Sequence, residues 1–335
     1  MNHKNYSVKT TFTALLSRWN IPGIAWGALS MFVFFSILSP GKFLSFYNIM
    51  LILRHSCILL IASIGMALVI LVSQVDLSIG SVVSLTAVIT GVLLQNGFPV
   101  AIAVLAGYMF GLLVGLTNGF MVAICKFDYW ISTFATMSIG AGLALVIAGG
   151  STIPMANPVL NYLGNEKIAG IYVIIILTAL IYVLMTFVLK KTRLGHNIYS
   201  IGGSENVAKV SGINVARYRV IVYLLSAFFA STAGLLLASM SNSASPIIGT
   251  EYSFNAMAAV IIGGISFDGG KGGIAGTLFG TLLLRILTNG LNIMGIPSTW
   301  QKTIVGVVIV VILVTEILGE KAHKTRGLRR VYSDD

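Results

Sequence analysis

The sequence predicts an all-α polytopic membrane protein of about ten transmembrane helices carrying an inverted-topology repeat. Three observations lead there. The 335 residues are 56% hydrophobic and only 9% charged, with a mean hydropathy of +0.94, too apolar for a surface that faces water. Apolar runs, most of them roughly 17 to 26 residues, recur from Ile21 to Leu318, and runs of that length can cross ~30 Å of hydrocarbon as helices. The runs also lack a polar alternate face: IYVIIILTALIYVLMTFVL has none of the period-two alternation of a barrel strand.

In chain order the predicted spans are 21–38, 55–73, 79–95, 99–124, 130–149, 171–189, 220–241, 254–266, 274–293 and 303–318. The first follows Lys4, Lys9 and Arg18, but SILSPGKF has no small-x-small cleavage pattern, so it reads as a retained span rather than a signal peptide. The eighth is short and ends in glycine. A tail over 1–20 and a basic tail over 319–335 flank the transmembrane domain of 21–318. With the amino terminus cytoplasmic, sixteen of the 21 Lys and Arg fall on inner segments and four (Lys42, Arg54, Lys167 and Lys302) on outer ones, with Arg285 inside a span. That asymmetry follows the positive-inside rule and predicts two cytoplasmic termini. It also accounts for the net charge of +11 through topology and anionic membrane lipid, with no nucleic-acid partner.

Thirty-six glycines predict close helix packing. Within them lies a match: AGYMFGLLVGLTNG, from Ala106, and AGTLFGTLLLRILTNG, from Ala275, share AGxxFG and a later TNG. The two spans run in opposite directions, so a repeat would be inverted, the arrangement that places a pathway between two halves.

Cys57 and Cys125 fall on different spans near opposite faces and are not expected to pair. The four histidines show no ligand spacing, so no metal and no cofactor is expected. SFDGGKGG is not a Walker A loop: Lys271 is followed by Gly272, and Ile265 stands where the first glycine belongs. No nucleophile, base and acid can be grouped, which argues against an enzyme. An ion-coupled secondary transporter would need carboxylates deep in its spans. Asp76, Asp268 and Glu316 sit near predicted inner ends.

The candidate site residues are the polar ones within the apolar frame. In VSQVDLSIGS, Asp76 and Ser78 either cap the third span or line a break in the pathway. Asn118, Thr133, Thr136 and Asn289 are neutral donors and acceptors, suited to a hydroxylated solute or to bonds between helices. Arg285 is a costly intramembrane charge that serves the pathway or snorkels outward.

The segment 190–219 is basic and glycine-punctuated. Gly202-Gly203 is followed by Ser204 as N-cap, then ENVAKV, with Gly212 as terminator. Val207 and Val210 lie three apart beside Ala208, rimmed by Glu205 and Lys209, and present the apolar face of a docking helix.

From about Phe43 to Leu318 the chain resembles the permease subunits of ATP-binding-cassette importers for simple sugars, the ribose and xylose class. The matching motifs are VDLSIGS, TRLGHNIYSIGGSENVAKVSGINV, AMAAVIIGGISFDGGKGGIAGTLFG and TNGLNIMG. Ser73-Gln74-Val75 replaces the family's Gly-Gly-Ile before Asp76, and Arg285 stands where a small residue is common. The resemblance implies a multi-pass permease of a bacterial inner membrane. It implies a coupling loop over 190–219, including Arg193 and Gly195, that meets separate cytoplasmic ATPase subunits. A second permease subunit (homodimer or heterodimer) and a periplasmic or lipid-anchored solute-binding protein complete the assembly. The solute implied is a monosaccharide such as ribose, with a polyol, nucleoside or furanone-like signal as alternatives within the family.

Overall fold

The computed structural model describes residues 23–308, 310, 311 and 314, so the predicted tails over 1–20 and 319–335 lie outside the described residues. The first elements are α1 (Gly23–Leu38), the single turn α2 (Pro40–Phe43), α3 (Phe46–Leu71), α4 (Ile79–Gln95) and α5 (Val100–Gly119). A π-helical turn, Phe120–Ile124, extends α5. There follow α6 (Tyr129–Ile147), α7 (Pro158–Asn165), α8 (Val173–Lys191), α9 (Arg193–Gly203), α10 (Glu205–Val210), α11 (Val215–Ser241), α12 (Tyr252–Ile262) and α13 (Ile274–Ile293). Helical residues 298–308 form α14. Two-residue strands β1 (Ile153–Pro154) and β4 (Ser243–Ala244) pair antiparallel, as do β2 (Lys167–Ile168) and β3 (Ile171–Tyr172).

Six of these helices are long and apolar enough to cross a membrane, and α1, α4 and α12 are shorter apolar ones. The fold class is therefore as predicted, a helical multi-pass protein, with shifted boundaries. The second run begins at Phe46, ahead of the predicted 55, because Arg54 and His55 interrupt the hydropathy without interrupting the helix. Arg54 finds partners there: Nε and Nη2 donate to Gly164 O at 3.2 and 2.9 Å, and its guanidinium stacks 4.7 Å from the Tyr172 ring centroid. The eighth predicted run shortens to the eleven residues of α12, ended by Gly263 and by Gly264 at φ +82°.

Local chemistry sets the helix starts. Asp128 Oδ1 accepts from the amides of Trp130 and Ile131, Asn157 Oδ1 from those of Val159 and Leu160, and Asn214 Oδ1 from that of Arg217. Each cap satisfies amides that have no partner within the helix. Asn242, in the left-handed region at φ 50°, ends α11.

The centre of the bundle is α3 and α11, with α4 beside them, and α3 is buried continuously from Ser56 to Leu71. Peripheral helices turn large apolar side chains outward, among them Leu105, Met109, Ile131, Val146 and Leu180. Lipid, not water, is the solvent such a surface suits. Gly107, Gly111 and Gly115 form the inner edge of α5, and a β-carbon on Gly115 would stand 2.5 Å from that of Ala227.

Candidate functional site

Two breaks in the helical frame meet inside the bundle. The first is the stretch between α3 and α4. Ser73 takes a left-handed φ of 62°, and the chain turns back into the protein, so Asp76 is 1% exposed. Its Oδ1 accepts from the Ser78 amide at 2.9 Å and from Ser78 Oγ at 2.6 Å, and its Oδ2 accepts from Ser226 Oγ at 2.7 Å. Ser226 lies about 16 Å along α11 from Val215 at ~1.5 Å per residue. The sequence places Asp76 near an inner helix end; in the structure it is enclosed by the bundle after the left-handed turn at Ser73. Asp76 does accept a backbone amide, but the N-cap position of α4 belongs to Ser78.

The network continues outward from this carboxylate. Asn118 Nδ2 donates to Ser78 Oγ at 2.9 Å, and Thr136 Oγ1 donates to Asn118 Oδ1 at 2.7 Å and to Thr133 O at 3.1 Å. Asp76, Ser78, Asn118, Thr133 and Thr136 are thus one constellation joining α4, α5 and α6, and Ser226 adds α11. Ser226 is a member that sequence reasoning missed, since one serine within an apolar helix carries no positional signal.

The second break runs from Asn242 to Glu251, before α12. Gly80 and Gly249 pass backbone to backbone: a β-carbon on Gly80 would stand 2.5 Å from Gly249 O. Ser253 Oγ accepts from the Gly80 amide at 2.8 Å and donates to Leu77 O at 2.6 Å, while Ser84 Oγ accepts from the Gly249 amide at 2.9 Å. The α12 helix that follows is about 16 Å long, half a membrane.

Arg285 and Asn289 lie apart from the first constellation. Arg285 Nη2 donates to Tyr252 Oη at 3.5 Å, with the guanidinium carbon 5.7 Å from that ring's centroid. The side chain therefore turns to the first residue of α12. Asn289 and Asn48 exchange reciprocal amide bonds of 2.9 and 3.1 Å, tying α13 to α3. A cleft of about 560 Å³ opens beside them, lined in part by Glu251, Asn255, Thr288, Gln301 and Lys302. Lys302 and Glu251 pair across it at 2.6 Å.

The segment after α8 forms two short helices. Ser204 Oγ accepts from the Val207 amide at 3.4 Å, and Gly212 has φ +80°, the expected cap and stop for α10. Glu205 accepts from Lys209 at 2.7 Å and from Arg219 at 2.6 Å. The Lys209 bond, then the Arg219 guanidinium, hold its carboxyl below the ordinary carboxylate range. Val207 and Val210 are 61% and 86% exposed. Ala208 corrects the sequence reading: it is 1% exposed, packed into the main core, and does not share their face. A six-residue helix lying against its neighbours must turn one side inward, and the alanine is on that side.

Around this segment the contacts are main chain to main chain. Gly195 packs on the Leu189 carbonyl, and a side chain on Gly202 would strike Leu71 O and the Gly270 amide. The Gly270 amide donates to Leu71 O at 3.0 Å, and Ser73 Oγ donates to Asp268 O at 2.6 Å. Arg193 and Gly203 are exposed beside it.

Known proteins match this chain over most of its length. It is 35% identical to the ribose import permease protein RbsC of Bacillus subtilis (strain 168), covering 85% of this chain and 89% of that protein. The ribose import permease protein RbsC of Escherichia coli (strain K12) is 34% identical, covering 84% and 88%. The fructose import permease protein FrcC of Rhizobium meliloti is 32% identical, covering 83% and 79%. No solved structure matches. The family described as branched-chain amino acid transport system / permease component matches residues 48–313. With that span matched on a helical multi-pass frame, the chain belongs to this permease family and is a membrane transport subunit, not an enzyme.

Proposed function

We propose that this chain forms the translocation pathway of an ATP-binding-cassette importer for a small neutral hydroxylated solute, a monosaccharide such as ribose. The observation that carries the reading is the 35% identity to a ribose import permease across 85% of the chain. The test is reconstitution with its ATPase and solute-binding protein in proteoliposomes, comparing ATP-dependent uptake of labelled ribose, fructose and leucine. Uptake of ribose above the other two is expected. Preferential uptake of leucine, the solute class in the family's description, would overturn the sugar assignment.

In this reading the protein is a permease domain, residues 21–318, of a bacterial inner membrane, with ten crossings and cytoplasmic termini. The nine apolar helices together with α14 support that count. An inverted repeat is supported by two parallel sets of elements: α3, break, α4, α5 and α11, break, α12, α13. Within the matched AGxxFG motifs, Gly107 approaches α4 and Gly111 approaches both Ser231 of α11 and α4, while Gly276 and Gly280 approach α12. Each pair thus meets the short helix of its own half.

The constellation of Asp76, Ser78, Asn118, Thr133 and Thr136 then holds the pathway's first break, and Arg285 and Asn289 serve the second half. Arg285→Leu removes the cation over Tyr252. Uptake is expected to fall severalfold at equal membrane abundance, and unchanged uptake would return Arg285 to a packing role.

The segment 190–219 couples to the ATPase through the exposed face of α10, within an assembly that includes a second permease subunit. Val210→Glu is expected to insert normally and lose the ATPase on copurification. Val210→Ala should weaken assembly by only about 1–2 kcal/mol. Ala208→Glu instead buries a charge in this chain's own core and should lower the abundance of the permease. Full ATPase copurification with Val210→Glu would remove α10 from the interface.

A further inference from the structure

Where the two breaks meet, a cavity of about 220 Å³ opens between α4, α6 and α12, lined by Ser81, Ser84, Ser138, Ala141, Thr250 and Ser253. We propose that this cavity is a transit subsite for one neutral polyhydroxy molecule, a proposal that rests on the importer reading and places its solute. Its volume is below the ~300–1,000 Å³ of pockets for drug-sized ligands and suits a single monosaccharide.

The hydrogen-bond directions in the wall define the ligand. A backbone carbonyl can only accept, so a hydroxyl bonded to one has committed its proton. Ser81 Oγ donates to Ser78 O at 2.8 Å, Ser138 Oγ to Phe134 O at 3.0 Å, and Thr250 Oγ1 to Ile247 O at 2.5 Å. All three therefore face the cavity with lone pairs. Ser253 donates its proton to Leu77 O and accepts from Gly80 with one lone pair, so toward the cavity it too can only accept. Ser84 accepts from the Gly249 amide and keeps its proton, which makes it the donor of the wall.

A wall of acceptors with one donor is complementary to a molecule rich in O–H groups. A carboxylate or phosphate would meet lone pairs with no cation to offset them, since no charged side chain lines the cavity. Met137 and Phe254 supply apolar surface for the C–H face of a sugar ring. Thr250 and Phe254 also line the 560 Å³ cleft, so the two spaces adjoin with those residues between them. Asp76 and Asn118 lie behind the wall, reached through Ser78, whose carbonyl Ser81 holds.

The test uses the full importer in proteoliposomes. Ala141→Phe places a ring in the cavity and is expected to cut ribose uptake at least tenfold while the complex still assembles and hydrolyses ATP. Uptake within twofold of the unaltered importer would overturn the subsite. The second measurement needs no transport. In a Cys125→Ser background, Ser138→Cys is expected to react with a charged, membrane-impermeant methanethiosulfonate faster than Met109→Cys on the lipid-facing side, and saturating ribose should slow that reaction. Equal rates, or no protection by ribose, would overturn the proposal. If the unaltered importer prefers leucine, the importer's solute is wrong, while fast labelling with ribose protection would still support a polyhydroxy site.

Discussion

Gly80→Val is expected to prevent the permease from accumulating as a folded protein, and Gly249→Val to do the same. Each position faces the other's main chain, and each amide is tied to a serine on the other's neighbouring helix, Gly80 to Ser253 of α12 and Gly249 to Ser84 of α4. An added side chain meets backbone that cannot change rotamer. Overpacking costs about 1–3 kcal/mol, and losing the Ser253 and Ser84 bonds adds about 1 kcal/mol each. The sum, roughly 3–5 kcal/mol, is a large share of the 5–15 kcal/mol that holds a typical domain folded. Gly142→Ala is the control: a β-carbon there meets nothing within 4 Å, and alanine favours a helix by about 1 kcal/mol. Melting in detergent, read by monodisperse size-exclusion recovery, should separate the variants clearly. Recovery of Gly80→Val equal to that of Gly142→Ala would mean that the two breaks do not touch.

The second large effect concerns Asp76→Leu. The substitution leaves the Ser78 amide, the Ser78 hydroxyl and the Ser226 hydroxyl without their acceptor in a buried site. Unsatisfied buried donors cost about 1–3 kcal/mol each. A loss of about 3 kcal/mol or more is expected, with abundance falling accordingly. Asp76→Asn keeps the Oδ1 acceptor and forfeits mainly the bond from Ser226, so most of the folded population should remain. Equal abundance of the two variants would show that the carboxylate does not organise its neighbours.

What the sequence revealed was local, and what it concealed depended on distant partners. Apolar runs gave the helical class, and Ser204 and Gly212 bounded α10 because caps and stops are chemistry within a few residues. The orientation of α10 was hidden, since burial of Ala208 depends on the helices it lies against. Asp76 drew notice as a lone acid in an apolar frame, but its partner Ser226 is 150 residues away. The second break drew none, because the approach of Gly249 to Gly80 leaves no mark in composition. Its sequence, SPIIGTE, reads as an ordinary loop between spans. Arg54 misled the boundary of α3 for the same reason: its compensation comes from Gly164 and Tyr172, far along the chain.

The glycine contacts also restrict how this protein can move. At Gly80 with Gly249, Gly234 with Val83, and Gly263 with Gly276, main chain rests on main chain. No rotamer flip can part such surfaces, because no side chain intervenes. Separating α4 from α12 would have to displace whole helices as rigid bodies, with the bending confined to a few backbone torsions. Residues already outside the common conformational basins are the natural pivots: Ser73 at φ 62° beyond α3, and Gly264, Gly269, Gly270 and Gly272 between α12 and α13. Ser73, Gly269 and Gly270 converge on Leu71 and Gly202. The main chain beyond α3 and the main chain between α12 and α13 thus meet at the end of α9, so a displacement of that end would bear on both.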